Sequence, residues 1–380
     1  MIYLDNSATT KPLPAVMDSY QKVTEQFFCN PSSIHQFGGK GEHLLYKART
    51  QAADILEVRP NEIVFTSGGT ESNNLAIKGI ALEHQARGNH LITTAIEHPS
   101  VYEAFQALEK QGFEVTYLPV NESGHVSLRD LEEAIQDDTI LVSIMHVNNE
   151  TGVIQPIEEM GHLLRKYPKV FFHVDDVQGL GKVPLSLKTS QVDLWTCSGH
   201  KIHGLKGTGL LYKKTGVKLY PLFHGGSQED GIRPGTENLA GIVSFVKALR
   251  LIKEQEKQHV DHLIKMKQDI IHVVNAHEAV CLNTPNDSAP HIVNFSFPSV
   301  KPEVAIHMFG EHDIFLSTKS ACSSKDLNES RVLTACGYDV RRASSGLRVS
   351  LSYENTSEEI EVFIKTLEVV INQLKGMLKS

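Results

Sequence analysis

Short apolar runs alternate with amphipathic stretches from about residue 50 to residue 215, and this alternation constrains the fold more than any other feature of the sequence. The runs at 62–66 and 139–145 are typical of strands, whereas the stretches at 71–84 and 157–167 have the periodicity of helices. Apolar strands that are separated by helices indicate a mostly parallel sheet covered by helices. The sequence therefore predicts an α/β fold for this part of the chain.

A different pattern follows towards the C-terminus. One long helical stretch, rich in Lys, Gln, Glu and His, covers residues 240–277. After it come strand-like runs at 291–297 and 346–352 and helical stretches at 304–309 and 357–378, a mixture typical of an α+β unit. Because 380 residues are enough for two domains, we predict that the long helix links a large α/β domain to a smaller α+β domain.

The charge balance and the apolar content limit the possible partners and locations. Lysine and arginine number 37 and aspartate and glutamate 45, so the formal net charge is −8. A chain without a net basic surface is not expected to bind nucleic acid directly. No run approaches the ~18 apolar residues of a transmembrane helix, and the N-terminus lacks the basic flank of a signal peptide. The sequence therefore predicts a cytoplasmic protein that does not contact a membrane.

The cysteines are Cys29, Cys197, Cys281, Cys322 and Cys336. They are odd in number, widely spaced and without a CxxC pair, so we expect a reduced chain with no disulfide and no metal site. Cys322 stands among serines and lysines, a setting that suits an exposed, reactive thiol near positive charge. An inert, small apolar side chain is the commoner fate of a free cysteine, and we interpret the other four as structural.

Two polar residues stand where apolar strands are predicted to end. Asp175 follows the run 171–174, and Lys201 comes shortly after the run 192–197. Because the carboxyl ends of parallel strands meet at the ligand-binding edge of a sheet, we expect these two side chains to converge. Pyridoxal phosphate (PLP) needs such a pair, since the amine bonds to the cofactor and the acid keeps its pyridine nitrogen protonated. Taken singly, a strand-end acid often caps a helix, and a lysine usually lies on the surface.

A glycine-rich turn at 67–70 joins the strand-like run 62–66 to a helical stretch. Its glycines allow close approach of an anion, the helix start offers free N–H groups, and Thr70 adds a hydroxyl. Ser198 and His200 are candidates to complete this cup from another strand. Considered alone, a Gly-Gly pair is more often a simple turn than a phosphate site.

Ordered motifs along nearly the whole chain make a resemblance specific. They include FTSGGTESNN at 65–74 and MHVNNETG at 145–152. The remaining motifs occupy residues 3–10, 30–35, 97–99, 173–178, 198–204, 235–238, 320–324 and 347–350. Through them the chain resembles the NifS/IscS-like cysteine desulfurases of the class V aminotransferase group.

The resemblance implies an architecture. It implies the aspartate aminotransferase-like fold of PLP-dependent transferases, with a mostly parallel seven-stranded sheet in the large domain. The large, PLP-binding domain is expected over residues 14–250. The small domain is expected to combine residues 1–13 and 251–380 and to carry the catalytic cysteine loop. The same resemblance implies a homodimer.

The resemblance also implies roles for individual residues. Cys322 matches the nucleophile that accepts sulfur, Lys201 the Schiff-base lysine, and His98 a ring-stacking residue that shuttles protons. The positions that match cofactor ligands are Gly69, Thr70, His98, Asn149, Asp175, Gln178, Ser198, His200, Lys201 and, from the second subunit, Thr236. Arg348, together with Asn149, matches the substrate-binding residues, and a guanidinium group pairs well with a carboxylate.

The implied reaction converts L-cysteine to L-alanine and leaves the sulfur on the enzyme as a persulfide. The sulfur would pass to an acceptor protein of tRNA thiolation, thiamin synthesis or iron–sulfur assembly. Two alternatives stay open: another class V reaction such as that of a selenocysteine lyase, and a non-catalytic sulfur-carrier subunit that keeps the fold. Cys322 argues against an aminotransferase, and intact Lys201 and Asp175 argue against an inactive carrier.

The chain departs from the usual family pattern at three places. Asp176 replaces a small residue next to Asp175 and is expected to influence the electronics of the cofactor. Lys319 replaces the usual glycine before Ser320 and is expected to stiffen the cysteine loop or change its charge. The sequence ends shortly after Leu378, where some relatives carry a scaffold-binding tail, and this favours a tRNA-thiolation or thiamin partner.

Overall fold

The computed structural model describes residues 1–298, 300–318 and 329–379. Its strands are β1 (Ile2–Tyr3), β2 (Ile63–Thr66), β3 (His90–Thr94), β4 (Glu114–Leu118), β5 (Thr139–Met145), β6 (Phe171–Asp175), β7 (Leu194–Ser198), β8 (Gly209–Lys213), β9 (Cys281–Leu282), β10 (Ile292–Ser296), β11 (Ile314–Phe315) and β12 (Gly346–Ser350). Its α-helices are α1 (Pro14–Gln26), α2 (Gln36–Leu56), α3 (Gly69–His84), α4 (Pro99–Glu109), α5 (Leu128–Ala134), α6 (Ile157–Leu164), α7 (Leu239–Asn275), α8 (Pro302–Gly310), α9 (Arg331–Ala335), α10 (Val340–Ser344) and α11 (Ser357–Lys379). Cys322, Lys319 and Ser320 lie outside the described residues.

The main sheet has seven strands in the order β2-β8-β7-β6-β5-β3-β4. The pairs β3–β4, β3–β5, β5–β6 and β6–β7 are parallel, whereas β8 runs antiparallel to both of its neighbours. The predicted α/β class with a mostly parallel seven-stranded sheet is therefore confirmed. Because β6 and β7 are adjacent and parallel, Asp175 and Ser198 end at the same edge of the sheet.

Both faces of this sheet are buried, which explains its apolar strands. Successive side chains of a strand point to opposite faces, and they enter different hydrophobic cores here. Val64 packs in one core with Leu75 of α3 and Phe105 of α4. Phe65, the next residue, packs in the other core with Phe245 of α7. Helices on both sides of the sheet thus leave its polar strand ends as the place for chemistry.

A second core is built around a small antiparallel sheet in the order β12-β10-β9. Phe295 of β10 packs there with Phe309 of α8 and Phe363 of α11. Leu4, from the start of the chain, belongs to the same core. The predicted α+β character of the C-terminal part is confirmed by these strands and helices. The division of the chain near residue 250 stays a prediction.

Helix α7 connects the two cores. It contains 37 residues and agrees with the predicted helix at 240–277. Phe245 and Leu249 lie in the first core, whereas Leu263 and Ile270 lie in the second. Across the described part of the chain, no helix combines the length and the apolar character that a bilayer crossing requires.

The strand–helix alternation gives no account of α1 and α2, which begin before residue 50. Helix α1 exposes most of its length and buries just Val16 and Val23. Helix α2 contains three glycines close together, Gly38, Gly39 and Gly41, and glycine is unfavourable inside a helix. Packing against α7 therefore stabilises these helices more than their own sequence pattern does.

Candidate active site

A cavity of about 510 Å³ opens at the edge of the main sheet where β2, β6 and β7 end. Its lining contains most of the site residues that the sequence predicts, namely Gly69, Thr70, His98, Asn149, Asp175, Gln178, Ser198, His200, Lys201 and Arg348. Thr236 is exposed and is not among the residues that line this cavity. Cys322 is outside the described residues. A single chain thus brings together all the predicted cofactor ligands except the one that was assigned to a second subunit.

Asp175 ends β6 as a buried carboxylate with two directed donors. Its Oδ1 accepts the Val177 N–H at 3.0 Å, and its Oδ2 accepts the Asn73 side-chain amide at 2.7 Å. Burial raises the pKa of this carboxyl group to about 6, while these hydrogen bonds and the charge of Lys201 act in the opposite direction. Such an acid is suited to face a protonated ring nitrogen, which would hold it in its charged form.

Lys201 ends a single 3₁₀ turn, Gly199–Lys201, that follows β7. Its Nζ donates to the backbone carbonyl of Ala8 at 2.8 Å and also to that of Ser7. Its own carbonyl accepts from Lys182 Nζ at 2.9 Å. The N-terminal segment is therefore a structural part of the site, because it holds the amine inside the cavity.

The glycine-rich turn brings the backbone close to β7. A Cβ atom on Gly69 would meet Val177 at 2.9 Å, and one on Gly68 would lie 3.7 Å from Ser198 Oγ. Gly68 also has a φ of +151°, a conformation that side chains disfavour. The Ser198 hydroxyl is buried and has no hydrogen-bond partner among the described residues. A free hydroxyl beside the start of α3 suits a phosphate group.

His200 lies at the same end of the cavity. Its Nδ1 contacts Thr9 Oγ1 at 3.2 Å. Burial, together with the charges of Lys201 and Lys206, lowers the pKa of His200 to about 4. The ring is therefore neutral near neutral pH and acts as a hydrogen-bonding group.

Arg348 stands in the middle of β12 and is almost completely buried. Its Nη1 donates to the carbonyl of Asn149 at 2.8 Å, and its Nη2 donates to Asp5 and to Ser317 Oγ, both at 3.0 Å. Within the described part of the chain, its Nε has no acceptor. The guanidinium group is thus fixed by the protein on one side and keeps an N–H for a ligand.

His98 is the N-cap of α4, and its Nδ1 accepts the Ser100 backbone N–H at 3.1 Å. Burial lowers the pKa of His98 to about 3, and the charges of Lys201 and Arg331 contribute in the same direction. The preceding Glu97 has the opposite tendency, since burial raises its pKa to about 8. Both side chains are therefore neutral near pH 7.

Asp176 points away from the cavity. One carboxylate oxygen lies 2.6 Å from His146 Nδ1, and the other accepts the Trp195 indole N–H at 3.0 Å. The side chain is buried and is not among the residues that line the cavity. Its charge contributes to the raised pKa of Asp175, after the larger effect of burial. The departure from the family pattern therefore reaches the site through Asp175 and not through direct contact with a ligand.

Several groups that complete the site were not predicted from the sequence. The carbonyls of Ser7 and Ala8 bind Lys201, and backbone atoms leave no mark in a sequence. Asn73 and Ser100 connect Asp175 to His98 by side-chain hydrogen bonds. Asn73 lies within the motif at 65–74, and the Pro-Ser pair after His98 is a typical helix start, so these two positions carried a usable signal.

Known proteins of one family match this chain over almost its whole length. A family model described as Aminotransferase class-V matches residues 2–363. A NifS/IcsS protein homolog from Lactobacillus delbrueckii subsp. bulgaricus is 45% identical over 373 residues, which cover 97% of each protein. Cysteine desulfurase IscS from Clostridium botulinum is 43% identical over 380 residues, which cover 99% of this chain and 96% of the relative.

Solved structures give the same result. The structure of a NifS-like protein superimposes on this chain with a TM-score of 0.92 at 36% identity. The aligned part covers 98% of this chain and 99% of that protein. The structure of SspA in complex with cysteine superimposes with a TM-score of 0.82 at 34% identity. The aligned part covers 92% of this chain and 99% of that protein. The similarity therefore extends through both hydrophobic cores and the cavity.

Proposed function

This chain belongs to the class V aminotransferase family and, within it, to the NifS/IscS cysteine desulfurases, and from that premise we propose how its residues perform the reaction. The activity is that of a cysteine desulfurase, and the family implies PLP as the cofactor. We assign L-cysteine as the substrate, L-alanine as the product and a persulfide on Cys322 as the sulfur carrier.

The observation that carries this assignment is the fit of one cavity to PLP. Asp175 offers a buried carboxylate for the ring nitrogen, and Lys201 offers an amine for the aldehyde. Ser198 offers an unpartnered hydroxyl for the phosphate, with Thr70 and His200 beside it. When bound, PLP accepts the electron pair that is released at the α-carbon of the substrate. These three anchors would fix the orientation of the cofactor within the cavity.

We assign substrate binding to Arg348 and Asn149. Arg348 lines the cavity, its guanidinium group is held by Asn149, Asp5 and Ser317, and its buried Nε has no acceptor among the described residues. A carboxylate there gains charge-assisted hydrogen bonds in a buried setting, where such bonds are strong. Lys201 Nζ would be the base that removes the α-proton of the substrate.

Cys322 receives the sulfur in this proposal. Its thiolate bonds to the substrate sulfur while the bond from that sulfur to the β-carbon breaks. The electron pair stays with the three-carbon fragment, which takes up protons and leaves as alanine. The described residues on both sides of Cys322 are anchored by hydrogen bonds, which supports access of the Cys322 thiol to the substrate. The Ser317 hydroxyl accepts from Arg348 of the cavity lining, and Ser330 Oγ lies 2.5 Å from Glu150 Oε2. Five residues from Ser317 to Cys322 span at most about 17 Å.

The remaining thiols are poor alternatives by their surroundings. Burial raises the pKa of Cys336 to about 11 and that of Cys197 well above its ordinary range. Cys29 and Cys281 are half-buried. Since the thiolate is the nucleophile, the two buried cysteines do not supply it.

We propose a homodimer in which Thr236 completes the phosphate site of the partner. Thr236 is exposed and away from its own cavity lining. The nearby Arg233 pairs with Glu71, a residue of that lining, at 2.8 Å, so this segment lies beside the cavity mouth. Phe28 and Ile34 are exposed on the same chain, as expected of a surface that is covered in a dimer.

We further propose that the persulfide serves a separate acceptor protein in the cytoplasm, in tRNA thiolation, thiamin synthesis or iron–sulfur assembly. The cavity contains no second acceptor thiol among the described residues, so the sulfur must leave the site with Cys322. Incubating the persulfidated enzyme with cell extract and labelled sulfur would identify the protein that becomes labelled.

The central experiment measures alanine and persulfide together. The purified holoenzyme, given L-cysteine, should form alanine and an enzyme-bound persulfide in equal amounts during the first turnover. Cys322→Ser should keep the visible absorbance of bound PLP and form no persulfide, whereas the control Cys281→Ser should behave as wild type. Persulfide formation by Cys322→Ser at the wild-type rate would assign the nucleophile to another cysteine.

A further inference from the structure

Two side chains outside the assigned catalytic set connect Asp175 to His98. We propose that Asn73 and Ser100 are positioning residues that hold His98 as a neutral ring with its proton on Nε2, so that His98 donates a hydrogen bond into the cavity and does not shuttle protons. This inference rests on the proposed function, because it concerns what His98 does in that reaction.

The connection is continuous and short. Asn73 Nδ2 donates to Asp175 Oδ2 at 2.7 Å and to Ser100 Oγ at 2.9 Å. Ser100 Oγ lies 2.8 Å from His98 Nδ1. Asn73 is buried, and both protons of its amide nitrogen are used by these two contacts. The four residues therefore form one chain from the ring-nitrogen partner to the ring-stacking residue.

The direction of each hydrogen bond follows from the groups that can only donate or only accept. A carboxylate accepts, so the Asn73 amide nitrogen must face Asp175, and the flipped amide would oppose two oxygens. The same nitrogen donates to Ser100 Oγ, which leaves the Ser100 hydroxyl proton for His98 Nδ1. The Ser100 backbone N–H also points at this Nδ1, at 3.1 Å, and a backbone N–H has no other role than donor.

Two donors at Nδ1 determine the tautomer. A neutral imidazole carries its proton on one nitrogen, so a ring that accepts at Nδ1 carries it on Nε2. Nε2 has no partner among the described residues, and His98 lines the cavity. Protonation at Nδ1 would require the Ser100 hydroxyl to turn and the backbone N–H to lose its acceptor. The cap of α4 thus holds the ring in a donor state towards the ligand.

The charges around the ring also oppose its protonation and so favour the neutral form. The positive groups near the ring are Lys201 and Arg348 on the cavity side and Arg331 of α9, while His200, in the turn after β7, is neutral near pH 7. The start of α4 adds the partial positive charge of a helix N-terminus. Burial raises the pKa of Glu97 to about 8 and so favours its neutral form, while the Asp175 carboxylate is engaged by the Asn73 amide and the Val177 N–H. Burial, the positive charges and the helix start together oppose a second proton on His98.

The first test reads the tautomer directly. Nitrogen-15 histidine spectra of the full-length holoenzyme should show a bare Nδ1 and a protonated Nε2 for His98, unchanged from about pH 6 to about pH 9. The absence of the signal in His98→Gln identifies it. An imidazolium form, or the proton on Nδ1, would overturn the proposal whether or not the protein is a desulfurase.

The second test separates positioning from structure. Ser100→Ala removes the hydroxyl, and we expect the Nδ1 resonance to shift, while Ser100→Thr, which keeps the hydroxyl, restores it. Asn73→Ala should shift the same resonance, and the double variant should show less than the sum of the two shifts because the residues act through one chain. Additive shifts, or no shift in Ser100→Ala, would remove the chain from the proposal.

The third test distinguishes a donor from a proton shuttle. Glutamine has an N–H donor but does not titrate, so His98→Gln should keep kcat within roughly tenfold of wild type, while His98→Ala falls further. A shuttle supplies about 10²- to 10⁴-fold, so an equal loss of that size in both variants would overturn the inference. Failure of the proposed function is distinct, because it would appear as a wild-type chain that binds no PLP or forms no persulfide.

Discussion

At the scale of single residues, the surroundings of a side chain decide its charge more than its chemical type does. Glu97 and His98 are neighbours in the chain, yet burial raises the pKa of the Glu97 carboxyl group to about 8 and lowers the pKa of the His98 imidazole to about 3. Asp175 lies between these cases, with burial raising its pKa to about 6 against two hydrogen bonds. In all three groups, burial therefore favours the neutral form.

Glu97 gives a prediction for stability against pH. Its folded-state pKa of about 8 lies above the ordinary 4.5, so the stability from its protonated form is complete below about pH 4.5 and is lost as the pH rises to about 8. Glutamine mimics the protonated acid and loses no proton. The melting temperature of Glu97→Gln should therefore exceed that of wild type by a margin that grows from about pH 5 to about pH 8.

The control for this prediction is Glu103→Gln, which neutralises an exposed carboxylate on the neighbouring helix α4. Its melting temperature should follow that of wild type across the same pH range. If Glu97→Gln gave a constant difference from wild type at every pH, Glu97 would be charged in the folded protein.

Arg348 gives a prediction for substrate binding. Arg348→Ala removes the group assigned to the substrate carboxylate but none of the groups assigned to the cofactor, so the visible absorbance of PLP should persist. The loss of one partner of a buried charge pair typically costs about 2–5 kcal/mol, which should appear as a rise in KM for L-cysteine. The exposed Arg341→Ala is the matched control. A KM equal to that of wild type would exclude Arg348 from the substrate site.

At the scale of elements, Lys267 attaches helix α7 to a loop that supports the cavity. Its Nζ donates to the carbonyls of Ser288 and Ala289 at 3.0 and 2.9 Å. Ser288 in turn forms a β-bridge with Val153, in the segment that follows the cavity residue Asn149. One buried amine thus connects the long helix to the active-site loop.

Lys267→Met should therefore destabilise the protein by about 1–3 kcal/mol, because buried carbonyl acceptors lose their donor while the apolar stem is kept. Denaturant unfolding of the holoenzyme measures this change. Lys265→Met, on the exposed side of the same helix, should leave the unfolding midpoint unchanged. Equal stability of the Lys267 and Lys265 variants would show that the hydrogen bonds of the Lys267 amine make no net contribution to the free energy of unfolding.

Several elements could be predicted from the sequence and others could not, for physical reasons. The buried strands β5, β6 and β7 have continuous apolar runs, and α7 has a long helical period, so both were predictable. Helices α1 and α2 depend on tertiary packing and gave no clear pattern. The convergence of Asp175 and Lys201 followed from strand ends alone, but the contacts of Asn73, Ser7 and Ala8 depend on folded geometry. The place of Cys322 stays a prediction.

At the scale of the whole molecule, the position of Thr236 predicts shared active sites. Thr236→Ala should weaken PLP binding, although this residue is outside the cavity of its own chain. Lys201→Ala should lose the visible absorbance of bound PLP and all turnover. At a PLP concentration at which Thr236→Ala alone is inactive, mixing the two variants under subunit exchange should restore activity to about a quarter of wild type, since half of the dimers are hybrids with one intact site each.

The subunit exchange itself needs an independent check, for which mass spectrometry of differently labelled chains is suitable. Without recovery in a mixture that has exchanged, each phosphate site would be built within one chain. Full PLP affinity in Thr236→Ala would remove this residue from the cofactor site altogether.

Helix α7 makes the number of residues between the two cores as important as their identity. A helix advances by about 1.5 Å and turns by about 100° per residue, so its 37 residues form a rod of roughly 55 Å. One inserted residue at its middle would leave Phe245 in place but rotate Leu263 and Ile270 out of their core. Evolution and protein engineering can therefore exchange the exposed side chains of this helix freely, whereas single insertions or deletions within it disconnect one half of the enzyme from the other.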